Sequence, residues 1–134
     1  MSTLQNCKLL LIPKIEDPRG NLSVIEDKVI PFEIKRVYYL YDVPSGAERG
    51  GHSHIEQQEF LIALSGSFDV ILNDGQKENV VTLNKPFQGL FITNGIWREL
   101  KNFSSGAVCL VIASDVFSEE DYIREFQDFL ESKN

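Results

Sequence analysis

The chain has 134 residues, 43% of them hydrophobic, enough for one domain with a buried core and too few for a second. A formal net charge of −7 argues against a nucleic-acid partner, because such binding rests on neutralising phosphates with Lys and Arg. No stretch reaches the length of a membrane span, Leu9 to Ile12 is far too short for the core of a signal peptide, and the two cysteines, Cys7 and Cys109, read as reduced thiols; a soluble cytoplasmic protein is expected.

Cys7 to Ile15, rich in leucine and isoleucine, predicts a first strand, and Asp17-Pro18-Arg19-Gly20-Asn21 behind it carries turn chemistry. Leu22 to Glu26 alternates apolar and polar residues, the pattern of a short half-buried strand. After Pro31, Ile34 to Tyr41 is β-branched and aromatic. As a strand it presents Arg36, Tyr38 and Leu40 on one face and Lys35, Val37, Tyr39 and Tyr41 on the other. Gly46, Gly50 and Gly51 then lead into His52 and His54, followed by a strand core over Glu59 to Leu64. Ser67 to Asn73 and Glu78 to Leu83 predict a hairpin about Asn73-Asp74-Gly75. Gly89 to Thr93, Trp97 to Lys101 and Gly106 to Ser114 complete the set, with Pro86 and Asn94-Gly95 marking turns. Many short strands between turns argue for an antiparallel sandwich or barrel. Ser118-Glu119-Glu120-Asp121 reads as an N-cap and capping box. Tyr122, Ile123, Phe126, Phe129 and Leu130 recur at helical spacing, which predicts one amphipathic helix packed on the sheet or on a partner subunit.

Residues two apart in a strand share a face, so His52 and His54, the only histidines, place two imidazoles together. Imidazole takes and returns a proton near neutral pH; Tyr38 can donate or shuttle one, and Arg36 or Arg49 can steady a developing enolate. Arg19, Lys35, Arg36 and Arg49 fall in the first half of the chain and suit a small phosphorylated ligand. The spacing G-x5-H-x-H-x4-E-x6-G, carried by Gly46, His52, His54, Glu59 and Gly66, resembles the first motif of the cupin superfamily. A cupin barrel usually adds a third histidine from a second motif to hold a metal. Here Arg98, in Asn94-Gly95-Ile96-Trp97-Arg98, stands in its place, and a fixed cation neither ligates nor favours a divalent neighbour. No metal is expected, although His52, His54 and Glu59 remain three available ligands.

The segments D-P-R-G-N-L-S-V-I-E (Asp17 to Glu26), P-F-E-I-K-R-V-Y-Y-L (Pro31 to Leu40), R-G-G-H-S-H (Arg49 to His54), L-N-D-G (Leu72 to Gly75), G-L-F-I (Gly89 to Ile92), F-S-S (Phe103 to Ser105) and D-Y-I-R-E-F (Asp121 to Phe126) resemble the sugar 3,4-ketoisomerases almost end to end. These are cupins acting on dTDP-4-keto-6-deoxyglucose. The resemblance implies an all-β double-stranded β-helix, or jelly roll, over residues 1–134 with one short C-terminal helix. It also implies a homodimer with N-terminal strands at the interface, and movement of a keto group from C4 to C3 with no metal or cofactor. Carried onto this chain, the catalytic residues are His52, His54 and Tyr38. Arg19, Arg36 and Arg49 bind substrate, joined by Trp97 and Arg98 at the second-motif turn. The chain departs from the family in having Ser53 and Ile55 where alanine and lysine are common, and Glu59 where glutamine is common. No G-x-G-x-x-G or P-loop offers a site for a nucleotide cofactor. A dTDP-sugar epimerase on the same barrel, a non-catalytic sugar-binding cupin and a metal-dependent oxygenase are the alternative readings.

Overall fold

Alternation of inward and outward side chains carries through almost every expected strand. The computed structural model, which describes residues 2–26 and 28–134, assembles them into two facing antiparallel sheets. The strands are β1 (Lys8–Leu11), β2 (Lys14–Asp17), β3 (Gly20–Ser23), β4 (Arg36–Leu40), β5 (Arg49–His54), β6 (Glu59–Ser65), β7 (Phe68–Asn73), β8 (Glu78–Leu83), β9 (Gln88–Ile92), β10 (Trp97–Lys101), β11 (Val108–Ala113) and β12 (Tyr122–Ile123), followed by helix α1 (Phe126–Ser132). One sheet runs β1-β9-β6-β11-β4 and the other β12-β5-β10-β7-β8, while β2 and β3 pair only with each other. This is the expected jelly roll with its short C-terminal helix.

Period-two alternation divides the apolar residues between two cores. Leu61 and Ala63 of β6, Leu90 and Ile92 of β9 and Val111 of β11 point between the sheets, meeting Phe68, Val70 and Leu72 of β7 and Leu100 of β10. Phe60, Ile62 and Ile112 point the other way, where Ile12 and Ile30 cover them. The Phe60 ring lies directly over Gly89, and any Cβ there would collide with it, so the glycine permits a close approach across the β6–β9 pair. Burying side chains of this size contributes roughly 1.5–3 kcal/mol each, which is why the sheets close without a disulfide; Cys7 and Cys109 are both free.

Two expected elements are corrected. The strand foreseen over Cys7 to Ile15 breaks in two. β1 adds to β9, but Ile12 turns into the outer core and Pro13, which has no N–H to donate, ends the run, so Lys14–Asp17 leaves the sheet as one arm of the β2–β3 hairpin. The helix foreseen from Ser118 begins only at Phe126. Ser118 makes no side-chain cap bond, Glu119–Asp121 forms a single 3₁₀ turn, and Tyr122–Ile123 pairs with β5 opposite His54 and Ser53. The Asp121 carboxylate is recruited elsewhere, by the backbone N–H groups of Glu56 and Gln57, so the acid that would have closed a capping box anchors the chain after β5 instead. No helix among the described residues is long and apolar enough to cross a membrane.

Candidate active site

A cavity of about 380 Å³ opens between the sheets, lined by Arg36 and Tyr38 of β4, Arg49 and His52 of β5, Glu59 of β6, Arg98 of β10, and Tyr122 and Arg124 beyond them. Strand parity explains most of this set. Arg36, Tyr38 and Leu40 share the inward face of β4, as expected, and Val37 and Tyr39 face outward. In β5 the pairing with β10 slips, from His52 opposite Arg98 to Arg49 opposite Leu100, so two glycines oppose one residue. Gly50 has φ of +77°, a backbone state open to glycine, and the bulge turns Arg49 onto the face that His52 occupies. Without the extra residue, Arg49 would point away.

At the back of the cavity the side chains form one hydrogen-bonded network. Glu59, 2% exposed, takes Arg98 Nη1 on Oε1, and its Oε2 accepts the Tyr38 hydroxyl at 2.9 Å and the Gln57 amide at 2.8 Å. Arg98 is equally buried and also donates to the Ile96 carbonyl through Nε and Nη2. His52 Nε2 and His54 Nε2 lie 3.0 Å apart, with the rings edge to face. His54 Nδ1 lies 3.0 Å from Asp121 Oδ2. Tyr122 packs on both imidazoles, at centroid distances of 4.9 and 4.4 Å.

These placements set the charges. Burial would raise the Glu59 pKa, but the Arg98 guanidinium outweighs it and holds the carboxylate ionised. Burial and the Arg98 charge lower His52 to about 3, so its imidazole is neutral at physiological pH. Burial, together with the Glu59 charge and its acceptance of the phenol hydrogen bond, raises Tyr38 far above its ordinary value, and the phenol keeps its proton.

Three guanidiniums besides Arg98 ring the cavity. Arg36 lines the cavity and donates through Nη2 to Gln57 Oε1 at 3.3 Å, and its buried Nε has no partner among the described residues. Arg124 is held by Glu119 at 2.7 and 2.9 Å and lies over the Tyr122 ring. Arg49 completes the set.

Two expected substrate contacts lie outside the cavity. Trp97 adjoins Arg98 on β10 and therefore points to the opposite face, where it packs against Phe126 and Phe129 of α1 and donates to Glu99 at 2.8 Å. Arg19 sits at the tip of the β2–β3 hairpin, exposed and paired with Asp17. Gln57, Asp121, Tyr122 and Arg124 belong to the site although residue pattern alone does not single them out. The D-Y-I-R segment was the available signal for three of them, but its helical spacing pointed to a different use.

His52, His54 and Glu59 bring ligand atoms within 4.8 Å of one another, the geometry of a metal site. The chemistry of the set does not fit one. Both Glu59 oxygens are already taken by donors, one of them a buried guanidinium that would repel a divalent ion at the same carboxylate.

A family model described as "FdtA: WxcM-like, C-terminal" matches residues 5–134. The TDP-4-oxo-6-deoxy-alpha-D-glucose-3,4-oxoisomerase of Aneurinibacillus thermoaerophilus is 44% identical over 123 residues, covering 91% of this chain and 88% of that protein. A 3,4-ketoisomerase from Helicobacter canadensis superposes with a TM-score of 0.93 at 45% identity over 96% of this chain and 97% of its own. QdtA, a sugar 3,4-ketoisomerase from Thermoanaerobacterium thermosaccharolyticum, superposes at 0.95 with 39% identity over 98% and 96%. It has been solved with TDP and, as a mutant, with TDP-4-keto-6-deoxyglucose. The shared fold, the family match over residues 5–134 and the near-complete coverage have one reading: the chain belongs to the sugar 3,4-ketoisomerase family.

Proposed function

We propose that this protein is a dTDP-4-keto-6-deoxy-D-glucose 3,4-ketoisomerase that yields a dTDP-3-keto-6-deoxyhexose, a precursor for 3-amino-3,6-dideoxy sugars. The observation that carries the reading is a neutral imidazole, His52, lining a cavity beside a phenol and several guanidiniums, one of them with an unpartnered donor. Arg36 and Arg49, with Arg124, supply fixed charge for the diphosphate. Arg98, neutralised by Glu59, serves the charge balance of the site rather than the ligand.

The chemistry needs acid–base groups alone. His52, which lines the cavity while His54 lies behind it, removes the proton from C3 of the sugar. The electrons of the C3–H bond form the C3–C4 double bond, and the carbonyl π pair moves to O4, giving an enediolate whose O4 takes the proton of the neighbouring O3 hydroxyl. The charge then left on O3 collapses, C3 becomes the carbonyl, and the double-bond electrons recover the proton from His52 at C4. One proton has moved between carbons and one between oxygens, with no net oxidation. Tyr38, fixed as a donor to Glu59, keeps its oxygen lone pairs for the vicinal hydroxyl and orients the exchange between O3 and O4. The guanidiniums steady the enediolate charge.

The protein works as a homodimer in this reading, with the N-terminal strands at the interface and Arg19 offered to the partner's cavity. The deciding experiment is incubation with dTDP-4-keto-6-deoxyglucose followed by NMR of the product. A carbonyl found at C3 supports the isomerase, an inverted centre with the carbonyl still at C4 identifies an epimerase, and bound but unchanged substrate identifies a sugar-binding module.

A further inference from the structure

We infer that Asp121 sets the tautomers of both histidines and thereby decides which nitrogen of His52 carries the free lone pair. The geometry constrains the protons from two independent directions. At one end, the Asp121 carboxylate accepts the Glu56 N–H on Oδ1 at 2.7 Å and the Gln57 N–H on Oδ2 at 3.2 Å, and Oδ2 also faces His54 Nδ1 at 3.0 Å. A carboxylate held by backbone donors accepts and does not donate, so Nδ1 of His54 bears a proton, and with one proton on the ring Nε2 is bare.

At the other end stands Gln57. Its Oε1 faces Arg36 Nη2, which can only donate, and its Nε2 faces Glu59 Oε2, which as an ionised carboxylate can only accept. The amide orientation is thus fixed from both sides. The same NH₂ group lies 3.4 Å from His54 Nε2 and presents a donor to it; Glu59 Oε2 is as far from that nitrogen, 3.4 Å, but is not hydrogen-bonded to it and already accepts the Tyr38 hydroxyl and the Gln57 amide. That nitrogen is an acceptor by this argument too.

The consequence passes to His52. Its Nε2 lies 3.0 Å from the bare Nε2 of His54 and must supply the proton of that hydrogen bond. Among the described residues His52 makes its side-chain hydrogen bond through Nε2 alone, so Nδ1 is left as the basic nitrogen. Asp121 does not line the cavity, and its side-chain contact to the histidine pair is with His54. It is a positioning residue that acts through His54, as the aspartate of a serine-protease triad orients its histidine.

The kinetic side of this inference rests on the ketoisomerase reading; the tautomers rest on geometry alone, and the experiment separates the two. The chain has two histidines, so tag-free protein labelled with ¹⁵N shows two imidazoles in long-range ¹H–¹⁵N correlation spectra. At neutral pH we expect His54 protonated on Nδ1 and His52 on Nε2. In Asp121→Ala the acceptor that holds the proton on His54 Nδ1 is gone, and the native tautomers are no longer enforced from that side. The form of His52 protonated on Nδ1 should become populated, and kcat falls roughly 10²- to 10⁴-fold with KM little changed. Asp121→Glu, which keeps the acceptor, should retain the native tautomers and more of the activity. Native protein with His54 protonated on Nε2, or an Ala variant with native tautomers and native kcat, overturns the inference, and the native spectrum decides even if the variants fail to fold. Wild-type protein that shows the expected tautomers but no isomerisation would refute the proposed function and leave the tautomer lock standing.

Discussion

His52 is a base whose surroundings oppose its protonation, and that has consequences for both rate and stability. Burial and Arg98 keep it neutral down to about pH 3, where an ordinary imidazole would be half protonated at about 6.5. The kcat/KM profile, which reports the free enzyme, should therefore show no acid limb near pH 6.5 and stay level into the mildly acidic range. A clear inflection at about 6.5 would mean that the base titrates as a solvated imidazole, against the cavity described here. For stability the sign is fixed by the same shift. The unfolded chain binds a proton at His52 below about pH 6.5 and the folded chain does not. The favourable contribution is thus complete above that pH and is lost progressively as the pH falls toward 3. His52→Asn removes the base without changing the strand, so turnover should fall roughly 10²- to 10⁴-fold with the melting transition intact. Near-native turnover in this variant would remove His52 from the reaction.

At the scale of elements, the alternation of β10 separates two neighbours with different roles. Arg98 reaches Glu59 between the sheets, and Trp97 lies under Phe126 and Phe129 on the outer face. Trp97→Ala should cost about 3–5 kcal/mol of stability, read from denaturant unfolding, while KM for the nucleotide sugar stays near the native value. Arg36→Met should do the reverse, raising KM with little loss of stability. A large KM change in the Trp97 variant would return that residue to the binding surface. The strand faces were legible because period two survives any detail of packing: Arg36, Tyr38, His52 and His54 were placed by spacing alone. What could not be read was competition between partners. The carboxylate three residues after Ser118 has the spacing of a capping box, yet the N–H groups of Glu56 and Gln57, more than sixty residues away in sequence, claim it. The result is a two-residue strand and a late helix where the local pattern favours an early helix. Likewise Gly50 announces freedom of backbone, but only the pairing with β10 shows that its bulge carries Arg49 to the cavity side.

The whole molecule leaves two apolar features unmet within one chain, and they complement each other. The β2–β3 hairpin pairs with no other strand, although Ile15 and Leu22, opposite each other across it, are 61% and 54% exposed. An isolated two-stranded hairpin is marginal in water, so something must cover it. On the outer face of the β1-β9-β6-β11-β4 sheet, Val37 and Leu64 border an apolar groove of about 270 Å³ whose floor is Ile62, Leu110 and Ile112, and Tyr39 and Tyr41 stand exposed beside Val37 on the edge strand β4 and just past its end. In the proposed homodimer two copies related by a two-fold axis would bury both features at once, each hairpin on the partner's sheet, which is the self-complementary arrangement of most soluble dimers. Arg19, at the hairpin tip with no contact to its own cavity, would then be carried toward the partner's. The double variant Ile15→Asp, Leu22→Asp tests this without touching either core, because neither side chain belongs to them. Light scattering should show a dimer for the native chain and a monomer for the variant, with the monomer's barrel intact by circular dichroism and its isomerase activity lowered. A native chain that is monomeric and fully active at assay concentration would leave the hairpin an unpaired appendage and Arg19 a surface charge.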